Sequence, residues 1–143
     1  MWEFFSGSET ADDWTTRLTI IDRPDARSKS DIDKVSEGIK SDYEAHGGRV
    51  LIARTIEDPN GAPYHYTVVV SDEPSKQRTE LSFVKAAISR RDAYVVVYAV
   101  RISDPNDYSS KAKAFLHQHS AEINNALGQA ELPDMNKLPR TEF

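Results

Sequence analysis

The stretch Ala93–Ile102 (A-Y-V-V-V-Y-A-V-R-I) limits the possible folds more than any other part of this chain. Tyr94, Val96, Tyr98 and Val100 fall on one side of an extended backbone, and Val95, Val97 and Ala99 on the other. A strand that is apolar on both faces must be covered on both faces, so it belongs in the interior of a sheet with a layer above and a layer below. The rest of the chain has to supply those layers and the flanking strands.

Other strands are predicted around it. Trp2–Phe5 is a short aromatic run. Trp14, Thr16, Leu18 and Ile20 alternate with Thr15, Arg17 and Thr19, a period of two that ends at Pro24. Arg49–Ile56 and Tyr64–Val70 flank Asp58-Pro59-Asn60-Gly61, where Asn-Gly predicts a tight type I′ hairpin. Glu80–Ile88 precedes the central strand across a turn at 89–92, Ser-Arg-Arg-Asp.

Two helices complete the set. Ile32, Val35, Ile39 and Tyr43 put an apolar stripe on a helix over 30–45, with Ser30 as cap, Asp33 at the third helical position and His46-Gly47-Gly48 as its stop. Asp104-Pro105 opens a second helix whose stripe is Tyr108, Ala112, Phe115, His119 and Ile123 and which closes at Gly128. The order β-β-α-β-β-β-β-α, with short links between four consecutive strands, predicts a mainly antiparallel sheet in an α+β fold, an α/β/α sandwich with one helix on each face. The expected organisation is a single domain over 1–132 and a loosely ordered tail over 133–143.

Composition narrows the function. The net charge is −5, from 18 basic and 23 acidic residues, and no Lys/Arg-rich run exists; this argues against nucleic acid as partner. There is no cysteine, so no disulfide, thiolate nucleophile or zinc–thiolate site can form. No apolar run reaches the ~20 residues of a membrane-spanning helix. The compartment is left open: cytoplasmic as the sequence is written, periplasmic if Met1 stands on a trimmed mature form.

Catalytic equipment is sparse. His117 and His119 are two apart on a predicted helix and point away from each other, so they do not share a metal. Asp12-Asp13 and Asp31/Asp33 sit beside a strand and in a first helical turn, where solvation and dipole compensation explain them. No phosphate loop, G-x-S-x-G elbow or calcium loop is present. Neither cofactor nor metal is expected. The candidate contact residues are Trp2 and Tyr64, aromatics near strand ends, His65, and a polar loop over 71–78 carrying Asp72, Glu73, Lys76 and Arg78. His65 with Asp72 or Glu73 as acid and base would make a small hydrolase, the alternative to binding.

Two segments carry a resemblance. Residues 4–19 read F-F-S-G-S-E-T-A-D-D-W-T-T-R-L-T, and residues 82–101 read S-F-V-K-A-A-I-S-R-R-D-A-Y-V-V-V-Y-A-V-R. Together they resemble a family of small uncharacterised bacterial proteins, often exported, with a G-E-x-x-x-x-W-T-E-x-x-T opening and a later F-x-K-A-I-x-G-x-D-x-F-Y-V-V-x-Y-A-x-R strand. Here Ser8 separates the opening glycine from its glutamate, Arg90 stands at the turn glycine, and the C-terminal cysteine common in that family is missing. The element order is also similar to the PsbP-like superfamily, which includes a photosystem subunit, a nuclear Ran-binding protein, and DcrB-type and effector-chaperone proteins. The resemblance implies a non-catalytic module that binds another protein: an adaptor, chaperone or accessory subunit in a bacterial envelope or secretion setting. A toxin-neutralising immunity protein is the alternative among binders, and a homodimer is a possible assembly.

Overall fold

A computed structural model describes residues 1–88 and 93–130. The predicted turn at 89–92 and the predicted tail at 133–143 lie outside the described residues. The elements are β1 (Trp2–Phe5), β2 (Thr16–Arg23), α1 (Lys29–Ala45), β3 (Arg49–Glu57), β4 (Pro63–Glu73), a single 3-10 turn (Pro74–Lys76), β5 (Arg78–Ile88), β6 (Ala93–Ser103) and α2 (Tyr108–Gln129). The six strands form one sheet in the order β1-β2-β6-β5-β4-β3. Each of the five neighbouring pairs runs antiparallel.

The sheet is the middle of three layers. Tyr64, Tyr66, Val68, Leu81, Phe83, Tyr94 and Val96 point to one face, where Ala112, Phe115, Ile123 and Leu127 of α2 cover them. Val84, Ala86, Ala93, Val95, Val97 and Ala99 point to the other, where Ile32, Val35, Ile39 and Tyr43 of α1 lie, together with Trp14. β6 contributes to both clusters, as its doubly apolar pattern requires.

Local chemistry differs from expectation at several points. The strand expected from Trp14 starts at Thr16. Glu9 pins the chain just before it, accepting from the Thr15 hydroxyl and, at 3.3 Å, from the Thr16 amide. Trp14 is thereby released from the alternation and packs on the α1 face, whereas Leu18 and Ile20 belong to the α2 side. The α1 cap is Ser28 rather than Ser30, in a full capping box: the Asp31 amide donates to Ser28 Oγ at 3.1 Å and the Ser28 amide to Asp31 Oδ2 at 3.0 Å. Asp104 does not cap α2. Its Oδ1 accepts from the amides of Asn106 and Asp107 in a turn that ends before the helix begins at Tyr108.

The β3–β4 connection is not a type I′ turn. Gly61 has φ +81°, but Asn60 does not enter the left-handed region. The Gly61 amide bonds the Asp58 carbonyl at 2.9 Å, and Asp58 Oδ1 accepts from Asn60 and Ala62, both at 2.8 Å. The Asp58 side chain, competing for the backbone donors, sets the turn. The long polar loop expected over 71–78 does not exist. β4 and β5 absorb half of it, leaving one 3-10 turn closed by Gln77 at φ +50°. Lengthening the two strands satisfies backbone groups that a loop would leave to water.

Candidate functional site

The predicted contact residues are not brought together. Trp2 lies on edge strand β1, and Tyr64, buried to 4% exposure, lies on β4 with three strands between them. Tyr64 is thus a core residue rather than an exposed aromatic; its hydroxyl donates to Asn124 of α2 at 3.2 Å. Asp72 accepts from the Thr79 hydroxyl at 2.7 Å, and Arg78 grips Glu73 through two bonds of 3.0 Å, with Lys76 also 3.0 Å from Glu73. These bonds hold Glu73 charged, its carboxyl pulled below the usual range first by Arg78. The set locks the β4–β5 turn onto itself.

His65 has a different acid from those expected. Its neighbours Tyr64 and Tyr66 face α2, so its ring faces α1, where Nε2 is 2.6 Å from Asp33 Oδ1. A carboxylate only accepts, so Nε2 carries the proton. Nδ1 faces the Thr55 hydroxyl of β3 at 3.4 Å, too long for a firm bond. Asp72 lies seven residues further along β4, about 23 Å at strand rise, and cannot serve as this histidine's partner. The arrangement ties α1 to β4, the strand beside the β3 edge.

Lys85, in the middle of β5, has no functional role predicted from the sequence beyond its place in the K-A-A-I stretch. It is 2% exposed. Its amine donates to the carbonyls of Leu127 (2.9 Å) and Ala130 (3.3 Å) at the end of α2 and lies over the rings of Tyr64 and Tyr94. The sheet therefore supplies the C-terminal cation that α2 lacks in its own last turn. The available signal is a lone charged residue inside the otherwise uncharged run Leu81–Ile88.

On the α1 face near β1, the guanidinium groups of Arg17 (4.5 Å) and Arg101 (3.8 Å) both lie over the Trp14 ring. Glu80 bonds Arg101 at 3.3 Å, and Glu3 and Glu80 stand 3.6 and 3.7 Å from Arg17. Two bases and two acids neutralise one another there, so the cluster reads as a brace across four strands.

A concave surface runs beside α1. A cleft of about 400 Å³ lies between one flank of the helix and the β2–α1 connection. Its floor is Ala26, Val35 and Ile39, and its rim carries Arg23, Asp25, Asp31, Lys34 and Asp42. Asp25 is taken by a bidentate pair with Arg23 (3.1 and 2.9 Å), and Asp31 by the capping box. Gly38, mid-helix, opens onto the cleft, and a Cβ built there meets no atom within 4 Å. Packing does not require a glycine here, although glycine costs a helix interior about 0.5–1 kcal/mol relative to alanine. The cleft holds no nucleophile with a base at hand. Among the described residues no group of three His, Asp or Glu side chains is placed to hold a metal ion, and no helix is long and apolar enough to cross a membrane.

No family model matches the chain, and no curated protein matches it. Among solved structures it is similar to PA94, a Pseudomonas aeruginosa protein of unknown function described as a proposed regulator. The identity is 12%, the TM-score 0.57, and the match covers 93% of this chain and 83% of that one. At that identity the likeness establishes a shared three-layer α+β fold and nothing about chemistry.

Proposed function

We propose that this chain is a non-catalytic protein-binding module of PsbP-like architecture, an adaptor, chaperone or accessory subunit of a bacterial envelope or secretion system. Its contact site is the cleft beside α1. The carrying observation is Gly38: a helix-weakening residue, with no structural neighbour to demand it, on the wall of an open apolar-floored cleft. Glycine at such a place lets another backbone approach closely. A floor of aliphatic groups inside a polar rim is the usual anatomy of a protein contact. An immunity protein that occludes a toxin would use the same surface on a different partner.

The test compares tagged wild type with Gly38→Trp, purified from the native host. One stoichiometric protein retained by wild type and lost by the variant supports the reading. A toxin as that protein selects the immunity role. Hydrolysis of simple esters by wild type, abolished by His65→Ala, would replace binding with catalysis.

A further inference from the structure

The cleft carries an uneven charge pattern that says what its partner looks like. Two of its rim charges, Lys34 and Asp42, have no close partner of fixed opposite charge among the described residues, although Lys34 acts at longer range on Asp31. Lys34 has no carboxylate within 4 Å among the described residues. Asp42 has only the ring of His46, itself solvent-exposed, at 3.6 Å. The two are eight residues apart on one helix, about 12 Å at helical rise, with Val35, Gly38 and Ile39 between them. Asp42 also sits near the carbonyl end of α1, whose last turn contains no basic residue. A negative charge at the negative pole of a helix is unfavourable, and a cation brought there from outside would relieve it.

We infer that the partner is a polypeptide segment with two or three aliphatic side chains flanked by a basic residue, which seats against Asp42, and an acidic one, which seats against Lys34. This inference rests on the cleft being the binding site. The aliphatic groups fill the floor over Ala26, Val35 and Ile39, while Gly38 lets the segment's backbone approach the helix. The charges select the partner and set its direction along α1 rather than supplying most of the affinity, because exposed pairs are individually weak.

Synthetic helical peptides of one Leu/Ala composition test this, titrated into the whole protein and followed by amide chemical shifts at low salt. One carries Arg and Glu eight positions apart, and the other carries Glu at both positions. Wild type should prefer the Arg/Glu peptide by roughly tenfold, with shifts confined to the α1 flank and residues 23–26. Asp42→Lys should invert the preference, and Gly38→Trp should abolish binding of both. Lys34 and Asp42 are exposed, so substitutions there leave the fold intact. Equal binding of the two peptides, both lost in Gly38→Trp, overturns the charge pattern but leaves the cleft standing. Binding that survives Gly38→Trp, or no binding of either peptide at millimolar concentration, overturns the inference. So does self-association of wild type that Gly38→Trp removes, because the occupant would then be a second copy.

Discussion

Lys85 and Gly38 are costly residues held in place by opposite circumstances. Burial lowers the pKa of the Lys85 amine from its ordinary 10.5. Between the depressed folded value and 10.5 the unfolded chain holds a proton that the folded chain has released, so stability rises with pH across that interval. Tyr43, Tyr64, Tyr66 and Tyr94 act in the opposite sense. Burial raises each above 10.0, so the folded chain keeps protons the unfolded chain loses, and stability falls with pH above that value. Urea unfolding should show wild type gaining stability on the approach to pH 10 and losing it beyond. Lys85→Met should flatten the gain and keep the loss; an unchanged gain would mean the amine is not buried as described. Gly38→Ala should stabilise the protein by about 0.5–1 kcal/mol, since the added methyl enters open space at an ordinary helical φ. The same methyl narrows the cleft, so a more stable protein that holds its partner less tightly is the expected combination.

At the scale of elements, the helices are fastened by specific contacts with β4. Gly128 of α2 passes directly over Tyr64, and a Cβ there would lie 2.7 Å from the phenol oxygen and 3.4 Å from Cζ. Gly128→Ala should therefore cost about 1–3 kcal/mol. Tyr64→Phe in the same chain should restore part of that cost by removing the clashing atom. Failure of the double variant to recover would show that the helix, not the phenol, had been disturbed. The Asp33–His65 contact ties α1 to the same strand. A double-mutant cycle with Asp33→Asn and His65→Ala, read by thermal unfolding, should return a coupling of about 1 kcal/mol. The element pattern was largely readable beforehand: the doubly apolar 93–102 stretch demanded two covering layers, and the stripes Ile32/Val35/Ile39/Tyr43 and Ala112/Phe115/Ile123 identified the helices that provide them. What escaped the periodicity was side-chain competition for backbone donors, by Glu9, Ser28, Asp58 and Asp104, which moved strand and helix ends by a few residues. The 71–78 segment misled because its polar residues pair across a strand turn, a relation invisible to a local reading.

For the whole molecule, the cleft follows from a mismatch of widths. Six strands at about 4.8 Å spacing make a sheet about 24 Å across, and a helix about 10 Å wide cannot cover it. α1 sits toward β3, β4 and β5, so its other flank faces open space beside the β2–α1 connection. A linear sequence shows which residues are apolar and which helix they lie on, but not which flank of a helix the sheet leaves bare. That is why Gly38 is not readable from the sequence as the wall of a site. Edge strand β3 is the competing surface. It is blunted by a bulge between Val50 and Ile52 and by Arg49, Arg54 and Glu57, features that discourage strand addition. The decisive measurement is amide hydrogen exchange on the protein with and without its co-purified partner. Binding in the cleft predicts slowed exchange across residues 31–42 and 23–26, with β3 unchanged. Protection confined to residues 49–57, with α1 exchanging as in the free protein, would contradict it.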